Sequence, residues 1–486
     1  MISDSSYTDK PKGRKVDFGL LISYLFLVVF GWLNIYSAVY SEEHAFILDF
    51  SQRYGLQFIW VCISLVVAIL LLYVINPKNL PPLSGFLYLI MLVLLLAVTF
   101  LGREVNGSRS WFFIGSFGLQ PAEFSKITTA LLLSFTMSRY GFSLSNRKDA
   151  IKSALVVIIP ILLILMEKET GSALVYLGLI FVFYMEGLAG WIILLGFGLI
   201  GIFVATLAAS PLTAIIIAFS VCCLIQFFIN RNLLWFLTAI LTTVLMCYVP
   251  KLSQTETFSF LQNLKSEIWA LILIIPHVVF WIRDMLRGKV GKEGRYLLLS
   301  LTAAIVMVFS VDFIFDKVLQ PHQKARIENL LGITQDLQGI GYNVHQSKIA
   351  IGSGGLTGKG FLNGTQTKYN FVPEQSTDFI FCTVGEEWGF LGSLFLLFVY
   401  IFMILRIIHL ASKNSDAFTR IYGYCVASIF LIHVVINMGM TMGILPVIGI
   451  PLPFLSYGGS SMMSFTILLF IFIRLDMERQ NKDAAL

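Results

Sequence analysis

Charged side chains are rare in this sequence, and the most informative ones lie between Gly102 and Lys126. Arg109 falls in a short polar stretch, whereas Glu123 and Lys126 sit within an apolar one. Because they are three residues apart, Glu123 and Lys126 share one face of a helix that Pro121 can begin. Such a pair inside a membrane helix is a functional candidate, and the alternative is a structural ion pair. An ammonium there can hold an anionic group, and the carboxylate can hold the ammonium in place.

Two further stretches place polar groups beside apolar runs. Glu167, Lys168 and Glu169 lie at a junction between two apolar segments, where the stretch taken alone favours a solvated turn over a site. Residues 446–461 contain three prolines and a Gly-Gly pair, so many of their backbone groups cannot pair within a helix. Irregular backbone at membrane depth is tolerated only against protein or a water-filled cavity. We therefore expect residues 446–461 to border a site.

The longest stretch that cannot lie in lipid runs from about Asp312 to Phe379. It carries too many apolar and aromatic residues to be disordered, and we expect a folded cap over the site. Its glycine run, residues 352–360, does not match a phosphate-binding loop, because Lys359 is followed by Gly360 rather than by serine or threonine. Flexible or re-entrant backbone is the better interpretation.

Composition indicates a multi-spanning membrane protein. Of the 486 residues, 57% are hydrophobic and only 13% are charged, whereas a soluble domain carries roughly 25% charged residues. The net charge of +6 is therefore no indication of nucleic-acid binding. The sequence predicts an all-α fold with about fourteen membrane helices. The candidate segments are 18–40, 54–76, 82–101, 121–139, 152–167, 171–187, 190–209, 212–230, 232–250, 268–283, 296–315, 377–406, 418–443 and 459–474.

The distribution of basic residues predicts the orientation. With the N-terminus inside, most of the 34 lysines and arginines fall in cytoplasmic segments, including the cluster from Arg283 to Arg295. Short loops decide orientation and long loops count little. Both termini are therefore predicted to be cytoplasmic, and the long loop is predicted to be outside.

Several motifs resemble the SEDS family (shape, elongation, division and sporulation), the bacterial RodA/FtsW group. The resemblance covers the chain except about residues 190–295, and the segment 364–374 is similar to the RodA branch. The motifs are Asn106-Gly-Ser-Arg109 with Trp111, Gln120-Pro-Ala-Glu-Phe-Ser-Lys126, Gln323 with Arg326, Gly341-Tyr342 with Gln346-Ser347, Ile351-Gly-Ser-Gly-Gly355, Pro373-Glu374 with Thr377-Asp-Phe379, Glu386-Glu387, and Pro451-Leu-Pro-Phe-Leu-Ser-Tyr-Gly-Gly-Ser-Ser461.

The resemblance implies a core of about ten membrane helices, to which this chain adds about four. The implied division is a cytoplasmic tail at 1–17, the first part of the core at 18–189, inserted helices and a basic loop at 190–295, a helix at 296–315, an outer catalytic loop at 316–376, the second part of the core at 377–475, and a cytoplasmic tail at 476–486.

The resemblance also implies a peptidoglycan glycosyltransferase of the bacterial cytoplasmic membrane, which polymerises lipid II during cell elongation. The α-linked diphosphate donor and the β-linked polymer require inversion, for which Asp336 is the expected catalytic base. Expected partners are a class B penicillin-binding protein and other membrane proteins of the elongation complex. No metal ligands are expected, although a divalent cation is left open. The expected substrate-binding residues are Arg109, Trp111, Gln120, Glu123, Lys126, Arg326, Gln346, Ser347, Glu374, Asp378, Ser456 and Tyr457.

Two other functions compete with this one. A flippase for lipid II, or a transporter of another polar lipid, needs polar groups along a path through the bilayer. In this sequence the charges within the predicted helices cluster near the outer face, which favours catalysis at the surface. A non-catalytic scaffold for wall synthesis would instead tolerate charge substitutions in the long loop.

Overall fold

The computed structural model of the chain describes residues 16–41, 46–105, 107–115, 117–252, 265–288, 291–319, 321–333, 341–369 and 371–483. The chain forms two compact units, one from residues 1–188 and 337–486 and the other from residues 189–336. Its elements are α1 (Phe18–Val39), α2 (Arg53–Tyr73), α3 (Leu80–Leu101), β1 (Arg103–Val105), β2 (Ser108–Ile114), β3 (Phe117–Leu119), α4 (Pro121–Met137), α5 (Arg147–Met166), α6 (Thr170–Val175), α7 (Ile180–Met185), α8 (Gly190–Ala208), α9 (Pro211–Asn230), α10 (Leu233–Leu252), α11 (Ser266–Leu286), α12 (Lys292–Phe313), α13 (Pro321–Leu330), α14 (Tyr342–Ser353), α15 (Thr365–Lys368), α16 (Ile380–Ser412), α17 (Ala417–Thr441) and α18 (Gly459–Asp483).

The predicted helical membrane fold is confirmed, but the count of fourteen spans is not. Among the described residues, eleven helices are long and apolar enough to cross a membrane. Two further apolar helices, Thr170–Met185 and Leu233–Tyr248, are shorter. The remaining predicted segment, 121–139, forms the 17-residue helix α4, whose polar residues lower its hydropathy. Each predicted segment therefore contains a helix, while length and composition qualify eleven of them as spans.

A small antiparallel sheet between α3 and α4 was not predicted. The strands follow the order β1-β2-β3, with Glu104 opposite Arg109 and Phe113 opposite Gly118. Two of the strands have only three residues, which is too short for an alternating pattern to show. The sheet gives the polar stretch around Arg109 a fixed geometry.

The first unit is organised around its two most buried helices. In the most apolar stretches of α17 and α18, 83% and 89% of the residues are buried, against 22% in the helix at residues 77–101. The remaining long helices of this unit leave more of their apolar surface exposed, as expected for surfaces that face lipid. Polar residues of α17 and α18 consequently lie inside the bundle and need partners there.

The glycine run 352–360 is neither a phosphate loop nor free backbone, because it is docked on α16. The backbone N–H groups of Lys359 and Gly360 donate to the carbonyls of Glu386 and Glu387, each at 3.0 Å. Gly389 interrupts α16 with φ 65° and ψ −162°. A Cβ on Gly358 would come within 2.1 Å of the Glu387 carbonyl oxygen, so only glycine permits this approach.

The carboxylate of Glu386 fixes the chain that follows the glycine run. It is fully buried and accepts hydrogen bonds from Lys359 Nζ at 2.7 Å and from the backbone N–H groups of Thr365, Gln366 and Thr367 at 2.8, 2.9 and 3.0 Å. These are the unpaired donors at the start of α15. One side chain of α16 therefore holds both ends of the segment 359–367.

The second unit, residues 189–336, has a hydrophobic core of its own. Aromatic residues of three helices meet in it, with ring centroids of Phe219 and His277 5.4 Å apart and those of Trp235 and Trp281 6.0 Å apart. The unit includes α12, whose segment 296–315 was predicted as a separate helix after the insertion and is matched by part of residues 291–319 of this unit. Within the predicted outer loop, 316–376, the described residues form α13, α14 and α15.

Replacing Glu386 tests the docking of this segment. We expect Glu386→Gln to cost about 2 kcal/mol or more, because the amide leaves Lys359 without its counter-ion and removes acceptors from buried N–H groups. The melting temperature of the detergent-solubilised protein should fall, and hydrogen exchange should accelerate at the amides of residues 365–367. The half-exposed Glu374→Gln is the matched control. Unchanged exchange at residues 365–367 would show that Glu386 does not hold the segment.

Candidate functional site

Glu123 and Lys126 form a buried ion pair at the start of α4. Gln120 precedes the helix in an extended conformation, and Pro121 occupies its first position. The Lys126 ammonium donates to Glu123 Oε2 at 2.8 Å, and both side chains are 3% exposed. Ser464 of α18 donates to the same carboxylate oxygen at 3.1 Å. The pair therefore joins α4 to α18 inside the first unit.

Sequence reasoning missed His433, which is the third member of this cluster. Its Nε2 lies 3.0 Å from Lys126 Nζ, and its Nδ1 lies 3.0 Å from the carbonyl oxygen of Pro451. His433, Asn437 and Thr441 are spaced four residues apart and form one polar stripe on α17. That spacing within an apolar helix is the sequence signal that could have identified the histidine.

The irregular segment 446–458 is held by this stripe. Asn437 Nδ2 donates to the carbonyl oxygens of Ile450 at 2.7 Å and Asp378 at 2.8 Å. The Ser456 hydroxyl donates to the carbonyl of Thr377 at 2.7 Å, and Tyr457 N donates to that of Ser376 at 2.8 Å. The predicted residues Asp378, Ser456 and Tyr457 thus lie together. Residues 446–458 border the cluster, in line with the expectation from their prolines.

Arg109 and Trp111 lie on β2. The Arg109 side chain is 59% exposed and makes a loose ion pair with Glu104, with Nε and Oε2 3.5 Å apart. The Trp111 ring stacks with that of Phe113 at 6.2 Å. An exposed pair of this kind contributes little to stability, so the Arg109 guanidinium can re-pair with an incoming anion.

The junction of α5 and α6 adjoins this sheet. Arg109 N donates to the carbonyl of Glu167 at 3.2 Å, and Gln120 Nε2 donates to Glu169 Oε1 at 2.6 Å. Ser172 also donates to Glu169. The Glu167 side chain is 1% exposed, and neither of its carboxyl oxygens has a hydrogen-bond partner among the described residues. The expected solvated turn is therefore wrong for Glu167, which is buried beside the Arg109 strand, whereas Lys168 is exposed.

Arg53, at the start of α2, was not identified from the sequence. It donates to Ser376 Oγ at 2.8 Å, lies 3.7 Å from Glu374 Oε2, and has its guanidinium 5.8 Å from the centre of the Tyr457 ring. The predicted residue Glu374 has φ 52°, a left-handed conformation that is strained for a residue with a side chain. Arg53 is thus a second exposed cation beside predicted site residues.

The other predicted residues lie on α13 and α14 or outside the described residues. The buried Ser347 hydroxyl donates to the carbonyl of Thr441 at 2.9 Å, and Gln346 precedes it on α14. Arg326 lies on α13 of the second unit. Asp336, the predicted catalytic base, lies outside the described residues. Within the described part of the chain, no three or more His, Cys, Asp or Glu side chains are grouped to hold a metal ion.

Apolar helices that enclose irregular backbone and a cluster of ionisable groups define a multi-spanning membrane protein with an internal polar site. The family model of the cell cycle proteins FtsW, RodA and SpoVE matches residues 18–220 and 290–481. The chain therefore belongs to this family, and the resemblance stated from its motifs is confirmed.

Curated relatives match over nearly the whole chain. The peptidoglycan glycosyltransferase RodA of Treponema pallidum is 31% identical, over 93% of this chain and 95% of the relative. The peptidoglycan glycosyltransferase MrdB of Escherichia coli K12 is 28% identical over 94% of each. The probable peptidoglycan glycosyltransferase FtsW of Shewanella sediminis is 26% identical, over 97% of this chain and 89% of the relative.

Solved structures share the fold. A chain from a peptidoglycan synthase complex, studied for its coordination of polymerization and crosslinking, superposes with a TM-score of 0.58 at 22% identity, covering 96% of this chain and 98% of that one. The rod-shape-determining protein RodA of Thermus thermophilus gives a TM-score of 0.54 at 21% identity, covering 96% and 97%. These two likenesses establish the architecture.

The pH dependence of stability tests the burial of Glu167. Burial, and secondly the Glu169 carboxylate, raise the pKa of Glu167 from 4.5 to about 9. The folded state therefore holds the proton more tightly than the unfolded state. The stability this gives is complete below pH 4.5, and it falls as the pH rises towards 9. Glutamine cannot ionise, so we expect Glu167→Gln to melt higher than wild type at pH 8, by a margin that shrinks towards pH 5.

The control for this experiment is Glu104→Gln, which alters an exposed carboxylate of the neighbouring sheet. Its melting temperature should follow that of the wild type across the same pH range. Parallel curves for wild type and Glu167→Gln would mean that Glu167 is not held neutral in the fold.

Proposed function

We propose that this protein is a peptidoglycan glycosyltransferase that polymerises lipid II into glycan strands during cell elongation. The observation that carries the proposal is the end-to-end match to the RodA glycosyltransferase of Treponema pallidum. The site supports it, since exposed cations and buried carboxyl groups suit a substrate with a lipid tail and a diphosphate head. Catalysis at such a site requires side chains that are held in fixed positions. The hydrogen-bonded segments described above hold their side chains in this way.

The proposed reaction is an inverting displacement at the anomeric carbon of the donor. The acceptor hydroxyl attacks that carbon, its proton passes to a base, and the bond to the diphosphate breaks. We assign the base to Asp336 because the family places its essential aspartate at this position. Positive charge must meet the departing diphosphate as its negative charge develops.

Among the described cations, Arg109 is the best placed for that second role. Its guanidinium is exposed and only loosely paired, so a diphosphate can replace Glu104 as its partner. Lys126 is saturated by Glu123 and His433, and its ammonium lies 5.0 Å from the centre of the Phe465 ring. Lys126 would have to give up a partner to bind substrate directly. Arg326 stays a candidate for the same role.

The partner and the location are part of the proposal. The likeness to a chain of a peptidoglycan synthase complex supports pairing with a class B penicillin-binding protein that crosslinks the product. The apolar helices make the chain a multi-pass membrane protein. We propose the bacterial cytoplasmic membrane with both termini inside, on the distribution of basic residues.

Polymerisation by the purified protein tests the proposed function and its base. Labelled lipid II should yield long glycan strands on a gel, and Asp336→Asn should reduce the rate about 10²–10⁴-fold, because an amide cannot accept the proton. Asp316→Asn, in the same stretch of chain, is the control and should keep wild-type activity. Near-normal polymer from Asp336→Asn would eliminate Asp336 as the base. A wild-type protein that translocates lipid II without polymerising it would support a flippase instead.

Alanine substitutions of two arginines in the small sheet test the role of Arg109. We expect Arg109→Ala to lower kcat/KM for lipid II about 10–100-fold, the loss of one charge-assisted hydrogen bond. Arg103→Ala is the matched control, since Arg103 lies on the neighbouring strand with its guanidinium 5.3 Å from the centre of the Phe113 ring. Its kcat/KM should stay close to wild type. Equal losses in both variants would indicate that the sheet is disturbed, and not that Arg109 binds the diphosphate.

A further inference from the structure

His433 is fully buried between two helices and an irregular segment, and its two ring nitrogens meet different kinds of group. Nδ1 lies 3.0 Å from the Pro451 carbonyl oxygen, which can only accept a hydrogen bond. Nε2 lies 3.0 Å from the Lys126 ammonium, which can only donate one. Nδ1 must therefore carry the proton, and Nε2 must offer its lone pair. The ring is neutral and is fixed in one tautomer.

The other groups around His433 support this assignment. Lys126 Nζ donates to Glu123 Oε2 at 2.8 Å, so a carboxylate counter-ion lies beside the lysine. Phe465 of α18 packs edge to face against the imidazole, with ring centroids 4.8 Å apart. A second cation at His433 would face Lys126 at 3.0 Å with no carboxylate of its own. Charge and geometry thus agree on a neutral ring.

We propose that His433 is a positioning residue for the polymerisation reaction, holding the Lys126 ammonium and the segment that begins at Pro451 in fixed register. This inference rests on the proposed function for its catalytic consequence. The segment continues to Ser456 and Tyr457, which bond to the backbone of residues 376 and 377. The ring therefore joins the buried pair on α4 to the predicted substrate-binding residues. His433 does not itself touch substrate in this assignment.

The hydrogen bonds of the His433 ring to Lys126 and to Pro451 form a bridge, and loss of the ring would affect both ends of it. Loss of the imidazole would free one ammonium N–H and leave the Pro451 carbonyl without its donor in an apolar interior. The Lys126 ammonium and the segment that begins at Pro451 would then shift towards other hydrogen-bond partners. A displacement of even 1 Å at the site is enough to cost about 10²-fold in rate. The expected defect is therefore in turnover, while the apolar packing of the bundle persists.

Three substitutions of His433 remove its two hydrogen bonds one at a time or together. In His433→Gln the amide oxygen approximates the position of Nε2 and can accept from Lys126, while the bond to Pro451 is lost. In His433→Asn the amide nitrogen approximates Nδ1 and can donate to Pro451, while the bond to Lys126 is lost. His433→Leu fills the space and loses both bonds. A residue needed only for packing would be replaced best by leucine.

Polymerisation of lipid II by the full-length protein decides between these roles. We expect kcat to fall about 10²-fold in His433→Leu and by less in His433→Gln and His433→Asn, with KM changing little in all three. Melting temperatures report whether each variant is folded. Wild-type turnover by His433→Leu, or a change confined to KM, would overturn the proposal. If the wild type itself does not polymerise lipid II, the proposed function fails, whereas the tautomer is still decided by spectroscopy.

Nitrogen NMR of the protein labelled with ¹⁵N-histidine reads the tautomer without any substrate. The chain has six histidines, and the signals that disappear in His433→Gln, or equally in His433→Asn, belong to His433. We expect a protonated Nδ1 and an unprotonated Nε2 at neutral pH, with the Nε2 signal shifting in Lys126→Met. An imidazolium ion, a protonated Nε2, or no shift in Lys126→Met would contradict the bridge.

Discussion

Irregular backbone inside an apolar bundle must find its hydrogen-bond partners within the protein, in side chains or in neighbouring backbone, and this requirement organises the first unit. The segment after α17 contains Pro451 and Pro453, so it cannot continue as a helix. The polar stripe of α17 supplies the missing donors, with His433 bonded to the carbonyl of Pro451 and Asn437 to that of Ile450. The most buried part of the protein is therefore also the part that shapes the site.

The same requirement divides the cations into two kinds. Lys126 is committed to partners within the bundle, where the loss of one partner would leave an uncompensated charge. Arg109 and Arg53 lie at the edge of the site, half exposed and weakly paired, where exchange of partners costs little. A glycosyltransferase that must bind and release a diphosphate needs cations of the second kind for contact. Those of the first kind hold the surrounding segments in place.

The sequence predicted what depends on composition and on local spacing. Apolar segments located the helices, the Glu123 and Lys126 pair followed from a three-residue spacing, and the prolines marked residues 446–461 as a border of the site. It could not predict contacts between distant residues, such as that of His433 with Lys126 or the docking of Gly358 on Glu387, because spacing carries no information about them. The sheet around Arg109 was not predicted because two of its strands are too short to show an alternating pattern. Asp336 rests on the family resemblance alone, since it lies outside the described residues.

The second unit contains the stretch of chain that the family model does not match. The family model leaves residues 221–289 unmatched, a shorter stretch than the predicted insertion at 190–295. That stretch contains the end of α9 together with α10 and α11, whose Ala239, Met246 and Trp281 pack in the core of the unit's own cluster. Other apolar side chains of these helices, such as Leu234 and Leu286, stay exposed, as expected for surfaces that face lipid. The unmatched stretch therefore contributes to a hydrophobic core within its own unit, which is why its helices can form although the family model does not include them.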